Sequence, residues 1–196
     1  MKILFYGDSN TWGYDAKDAS RQKNRFTQFI KQEFSQHEII EEGLCGRTLC
    51  LDDPYDEDRN GAKMISMVLK THAPIDVVFI MLGTNDTKER FGSSAACIGL
   101  GLKRLILKAK ATLDAWKDGV PNILVVVPQN IAPEYIQTEV GDTMGVGCDE
   151  KSRRLAAEYK EIAELTDCHY LDANCVLTAA PNQIDFMHLT GEGHAQ

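Results

Sequence analysis

Short apolar runs alternate along this chain with segments in which apolar residues recur every three or four positions. The runs predict five strands, at residues 2–6, 38–42, 75–82, 122–127 and 169–172. The periodic segments predict four helices, at residues 24–36, 60–71, 93–117 and 149–165. The third and fourth runs are almost continuously apolar, which is typical of strands buried on both faces of a sheet.

The alternation of strands and helices is typical of a parallel sheet covered by helices on both faces. We therefore expect an α/β fold, built as a three-layer α/β/α sandwich around five parallel strands. No repeat or linker interrupts residues 1–196, which predicts a single domain. Residues 129–148 lack strong periodicity and predict a long loop, of the kind that often forms the wall or lid of a site.

Small and polar residues follow the ends of the predicted strands. GDSN follows the first, GLCGRT the second, GTND the third and PQNIAP the fourth, and DFMHL comes some residues after the fifth. Ligands in open α/β sheets bind beyond the carboxyl ends of the strands. The sequence therefore predicts that these segments meet at one edge of the sheet and form an active site.

Ser9, in GDSN, is the candidate nucleophile. A serine needs a base to attack at neutral pH, and the base needs a partner that orients it. Of the five histidines, only His188 has a carboxylate three residues before it, Asp185. A tight turn would let Asp185 accept the Nδ1 proton and leave Nε2 facing Ser9, in a chain order on which this geometry is known to recur.

An acyl-transfer site also needs hydrogen-bond donors for the oxyanion that develops on the carbonyl. Three candidates lie at the right strand ends: the backbone N–H of Ser9, the backbone N–H of Gly46 and the side-chain amide of Asn85. Asp8, Asn10 and Trp12 flank the serine and are the candidate substrate-pocket residues. For Trp12, packing in the core or on the surface is the alternative.

Four blocks of the sequence resemble those of the SGNH, or GDSL-type, hydrolases. They are Gly7-Asp8-Ser9-Asn10, the glycine of GLCGRT, Gly83-Thr84-Asn85-Asp86 and Asp185-Phe186-Met187-His188. The four letters of the family name fall on Ser9, Gly46, Asn85 and His188. The blocks occur in the family's order across almost the whole chain, whereas the G-x-S-x-G elbow of α/β-hydrolases is absent because position 11 is Thr.

The stretches GDSNTWG, EEGLCGRT, DDPYDEDRNG and IMLGTNDTK are similar to a subgroup of small arylesterases, acyltransferases and acetyl esterases. This resemblance implies a flavodoxin-like five-stranded sheet and a serine esterase for short-chain acyl esters of aryl groups, sugars or small alcohols. It also implies acyl transfer as a side activity and a homo-oligomer. Relatives carry a further helix at the C-terminal end, and Thr190 with Glu192 resembles its start, so we expect this helix to be truncated here.

Composition narrows the classes of partner. The net charge is −8 and the pI about 5.1, which disfavours nucleic acid and anionic membranes as partners. No leader-like segment is visible at the N-terminus, which predicts a cytoplasmic protein. The six cysteines form no CxxC and no Cys/His cluster of zinc spacing, so we expect free thiols, no metal and no cofactor.

Two other interpretations fit parts of the sequence. GDSN alone also suits a turn or a loop that cradles a phosphate, which would make the protein a nucleotide-binding flavodoxin-like module. That interpretation lacks a Gly-rich phosphate motif and leaves Asp185 and His188 without a role. Asp167 with His169 is a rival acid–base pair, for which a structural role is the alternative.

Overall fold

The computed structural model describes residues 1–196 and is built on one five-stranded parallel sheet. The strands are β1 (Lys2–Gly7), β2 (Glu38–Gly43), β3 (Val77–Met81), β4 (Ile123–Val127) and β5 (His169–Asp172), in the order β2-β1-β3-β4-β5. The helices are α1 (Ser9–Trp12), α2 (Phe26–Glu33), α3 (Gly61–His72), α4 (Ala95–Lys110), α5 (Glu139–Met144), α6 (Cys148–Leu165) and α7 (Gly191–Ala195). The predicted α/β fold class and the flavodoxin-like strand order are confirmed.

The main core lies between one face of the sheet and helices α3, α4 and α6. Leu4 and Tyr6 of β1 and Ile80 of β3 point into it, and each is at most 1% exposed. They pack with the apolar faces of the three helices, so burial on this face provides most of the hydrophobic stabilisation.

The prediction that the central strands are buried on both faces is wrong for β3. Val78 and Ile80 are buried, whereas Val77, Phe79 and Met81 are only half-buried. The second face is covered by α2 and α7, which have eight and five residues. Two short helices cannot enclose a sheet as the three long helices do on the first face.

Two predicted helices are longer than the observed ones. The first begins at Phe26 rather than at residue 24, because Arg25 is extended and its side chain binds Glu41 on β2. The helix predicted at residues 93–117 is α4, which ends at Lys110 rather than at residue 117. The chain turns back there, and the buried Trp116 donates its indole N–H to the Ala109 carbonyl at 3.0 Å.

Residues 129–148 are not the predicted irregular loop. They contain a 3₁₀-helix at Pro133–Gln137 and the helix α5. A small second core, in which Tyr135, Met144 and Cys148 are buried, holds this segment together. Tyr135 donates its hydroxyl to the Gly145 carbonyl at 2.5 Å and accepts the Cys148 N–H at 3.1 Å. These contacts involve residues without simple periodicity, so the sequence pattern did not reveal them.

The predicted start of a C-terminal helix is confirmed. Helix α7 begins at Gly191, and the hydroxyl of Thr190 accepts the Gly193 N–H at 3.0 Å, as an N-cap residue does. No helix of the chain has the length and apolar character needed to cross a bilayer.

Candidate active site

Ser9 lies at a sharp turn between β1 and α1. Asp8 caps the short helix by accepting the Asn10 N–H at 3.0 Å, which makes Ser9 its first residue. A Cβ at Gly7 would lie 1.9 Å from the hydroxyl of Thr11, so only glycine permits this turn. The turn leaves Ser9 9% exposed and facing a cavity.

The structure brings Ser9, His188 and Asp185 together. His188 Nε2 lies 2.8 Å from Ser9 Oγ, although the two residues are 179 positions apart. His188 Nδ1 lies 2.7 Å from Asp185 Oδ2. These are hydrogen-bond distances between a hydroxyl, an imidazole and a carboxylate, the arrangement that activates a serine.

The Asp185 carboxylate is held by several donors besides the imidazole. Its Oδ1 accepts the N–H groups of Met187 and His188, both at 3.1 Å, and the amide of Asn182 at 2.8 Å. Burial alone would raise the pKa of Asp185, but the hydrogen bond and electrostatic attraction of the His188 ring, together with the N–H groups of His188 and Met187, lower it to about 2. Asp185 therefore stays ionised, and a left-handed Phe186 at φ 59° forms the turn that returns His188 to it.

The three candidate oxyanion donors lie around the same cavity. Gly46 is left-handed at φ 84°, and its N–H has no acceptor within the protein. Asn85 donates one amide hydrogen to the Arg47 carbonyl at 3.2 Å, which leaves its second amide hydrogen free. Both residues line the cavity with Ser9.

The three candidate pocket residues do not line this cavity. Asp8 is 1% exposed, and burial raises the pKa of its carboxyl to about 6. Asn10 is turned toward the segment that carries His188, and its side-chain carbonyl accepts the N–H of the next residue, Leu189, at 2.9 Å. The guanidinium of Arg21 lies over the Trp12 ring, 5.5 Å from the centre of that ring. The helical turn after Ser9 directs Asn10 and Trp12 away from the cavity, whereas Asp8 precedes that turn and caps it.

The cavity has a volume of about 830 Å³ and is lined by 18 residues, of which six are hydrophobic. Its wall includes part of α5, so residues 129–148 supply a wall as predicted, although as a helix. Tyr14 lies with its ring centre 4.6 Å from that of His188. The cavity wall also contains residues that no sequence pattern predicted: Tyr55, Arg59, Lys88, Glu89, Arg90, Asp142, Thr143 and Met187.

A shared ion pair shapes one side of the cavity. Asp53 Oδ2 accepts from Arg59 at 3.0 Å and from Arg90 at 2.7 Å, and the Asp53 side chain is fully buried. Burial alone would raise the pKa of Asp53, but hydrogen bonds from Arg90, the Tyr55 N–H and Arg59 lower it to about 2. Only the acidic run DDPYDED hinted at this pair in the sequence, and it did not identify the arginines.

The rival pair does not reach this site. His169 begins the edge strand β5 and is exposed, and neither Asp167 nor His169 lines the cavity.

The sequence matches the model of a known protein family over almost its whole length. The model for the GDSL-like lipase/acylhydrolase family matches residues 5–196. No curated protein matches the sequence at a significant level.

Solved structures of esterases are similar over nearly the whole chain. The M. smegmatis aryl esterase is 32% identical with a TM-score of 0.89, over 99% of this chain and 93% of that one. Est24, a carbohydrate acetylesterase from Sinorhizobium meliloti, is 34% identical with a TM-score of 0.88 over the same shares. A member of the lipolytic G-D-S-L family from Veillonella parvula, at 17% identity and a TM-score of 0.69 over 99% of this chain and 92% of that one, is similar in fold alone.

Proposed function

This chain belongs to the GDSL-like lipase/acylhydrolase family and is a carboxylic ester hydrolase, and we propose that it hydrolyses short-chain acyl esters through an acyl-enzyme on Ser9. The observation that carries the proposal is the 2.8 Å contact between Ser9 Oγ and His188 Nε2, with Asp185 2.7 Å from the other ring nitrogen.

In the first half of the reaction, Ser9 Oγ attacks the ester carbonyl carbon while His188 Nε2 takes the hydroxyl proton. Asp185 holds the imidazole in the tautomer that leaves Nε2 free to accept, and it stabilises the imidazolium that forms. The N–H groups of Ser9 and Gly46 and the free amide hydrogen of Asn85 donate to the oxyanion. The tetrahedral intermediate then collapses as His188 protonates the departing alcohol.

In the second half, a water molecule attacks the acyl carbon of the ester formed on Ser9. His188 removes a proton from this water, and the same donors stabilise the second oxyanion. Collapse releases the carboxylic acid and returns the proton to Ser9 Oγ.

Short acyl groups are the substrate class that we propose, on the similarity to an aryl esterase and a carbohydrate acetylesterase. Acyl transfer to an added alcohol needs an apolar pocket that disfavours water. Charged side chains, among them Arg59, Lys88 and Arg90, line this cavity and attract water, so we propose that hydrolysis dominates over transfer.

Hydrolysis of 4-nitrophenyl acetate, butyrate and octanoate by the wild-type protein and by Ser9→Ala tests the proposal. We expect rates that decrease with acyl length and that fall to background in Ser9→Ala. Equal rates in the two proteins would overturn the role of Ser9. In a second experiment, methanol is added to the 4-nitrophenyl acetate reaction and the amounts of methyl acetate and acetic acid formed are compared. A predominance of methyl acetate would contradict the preference for hydrolysis.

A further inference from the structure

Lys88 is a buried cation that the proposed reaction does not use. It is 8% exposed and lines the same cavity as Ser9, three residues after Asn85. Its ammonium group forms no hydrogen bond or ion pair with the rest of the chain, yet it is not sealed from the cavity. An ammonium that has no partner in the protein and faces a cavity can bind an anionic group of a ligand there.

The backbone of Lys88 is fixed on both sides. Its N–H donates to the Asn85 carbonyl at 3.3 Å, and its carbonyl accepts the Phe91 N–H at 3.1 Å. The ammonium is therefore attached to the same short segment that carries an oxyanion donor. A group bound by Lys88 would be held at a defined position relative to the ester.

Lys88 differs from the two neighbouring arginines in having no carboxylate partner. Arg59 and Arg90 share the buried carboxylate of Asp53, and Arg59 Nε lies 3.0 Å from Asp56 Oδ2 as well. Both guanidinium groups therefore have carboxylate partners, whereas the ammonium of Lys88 has none. Burial, and then the charges of Arg90 and Arg59, lower the pKa of Lys88 to about 8, against the opposing charges of Asp53 and Asp8. The ammonium is thus charged at neutral pH and, unlike Arg59 and Arg90, has no carboxylate partner.

Two carboxylates on the cavity wall, those of Glu89 and Asp142, form no ion pair with the Lys88 ammonium. Glu89 accepts the Val146 N–H at 3.0 Å, and neither Glu89 nor Asp142 lies within ion-pair distance of the Lys88 ammonium.

We propose that Lys88 determines specificity by binding a carboxylate carried by the substrate, so that the enzyme prefers esters with a negative charge near the scissile bond over neutral esters of similar shape. This inference rests on the proposed esterase function and names the substrate class of the same site. The carboxylate can belong to the acyl part or to the alcohol part, and the experiment examines the two separately.

Two pairs of esters test the inference, each pair matched in shape and different in charge. Phenyl hydrogen glutarate and phenyl 5-oxohexanoate differ in the acyl part, and 4-acetoxybenzoate and 4-acetoxyacetophenone differ in the alcohol part. The measured quantity is kcat/KM for the anionic ester divided by kcat/KM for its neutral partner. Comparing this ratio between variants cancels the intrinsic difference in reactivity within a pair.

We expect Lys88→Met to lower the ratio at least tenfold for one of the two pairs. Lys88→Arg keeps the charge and should retain most of the wild-type ratio. Lys160→Met removes an exposed lysine on α6 outside the cavity and should leave both ratios unchanged. Unchanged ratios in Lys88→Met for both pairs would overturn the inference.

A measurement on the wild-type protein does not depend on the folding of any variant. Glutarate should inhibit phenyl acetate hydrolysis competitively, at concentrations at least tenfold lower than uncharged glutaramide. Equal inhibition by the two would overturn the inference while phenyl acetate hydrolysis still supports the esterase. Absence of Ser9-dependent hydrolysis of every ester would instead overturn the proposed function, and the inference with it.

Discussion

Asp86 accepts the backbone N–H of Leu49 with both carboxylate oxygens, at 3.0 and 3.1 Å. This contact joins the loop after β3, which carries Asn85, to the loop after β2, which carries Gly46. The amide of Asn85 bonds the Arg47 carbonyl across the same gap. Two candidate oxyanion donors from distant parts of the sequence are thereby held in one arrangement.

The Asp86 contact predicts a pH-dependent stability. Burial raises the pKa of Asp86 to about 8, above the value of about 3.9 expected in the unfolded chain. The folded state therefore binds the proton more tightly, and this contribution to stability is full below about pH 4 and is lost as pH rises through about 8. The Asp86→Asn variant cannot bind or release this proton, so it serves as the reference. We expect the free energy of unfolding of wild type, relative to Asp86→Asn, to decrease between pH 5 and 9 in urea titrations; a constant difference would contradict this.

Replacing Asp185 by Asn should reduce kcat about 10⁴-fold while leaving the fold intact. The Asn amide would favour the tautomer that puts a proton on Nε2, and His188 could then no longer accept the Ser9 proton. Hydrolysis of 4-nitrophenyl acetate and circular dichroism measure the two effects. Asn182→Ala removes only one donor to Asp185 and should cost much less, so an equal loss in the two variants would argue against the tautomer explanation.

Gly46→Ala should lower kcat more than it lowers stability. The left-handed φ strains any other residue, and the new Cβ would lie 2.5 Å from Arg59 Nε, so the loop would shift and displace its N–H from the oxyanion position. Gly92→Ala is the matched control, because Gly92 is also left-handed but has no atom within 4 Å of the new Cβ. We expect both to lose about 1 kcal/mol of stability, and only Gly46→Ala to lose tenfold or more in kcat.

The preference for anionic esters should depend on pH. Because the pKa of Lys88 is lowered to about 8, the ammonium loses its charge as pH rises through that value. The anionic-to-neutral ratio of kcat/KM should therefore fall between pH 7 and 9 in wild type. It should stay level in Lys88→Arg, since a guanidinium stays protonated over this range. A level wild-type profile would show that Lys88 does not recognise the charge.

The sequence determined the fold class and singled out the candidate catalytic residues, because both depend on local patterns. Apolar runs and helical periodicity predicted the five strands and the helices α2, α3, α4 and α6. Ser9, Gly46, Asn85 and the pair Asp185–His188 were identifiable because each lies in a short block after a strand. Thr190 at the start of α7 was likewise visible as a local capping signal.

Only the tertiary structure decided how the site is enclosed. The helix α5 depends on Tyr135, Met144 and Cys148 meeting in a second core, and Trp116 decides where α4 ends. Trp12 turns away from the cavity, and Lys88 turns out to face it, because side-chain direction after a strand depends on the exact turn geometry. The sharing of Asp53 by Arg59 and Arg90, and the ammonium of Lys88 left without a partner, arise from long-range packing, which residue spacing does not encode.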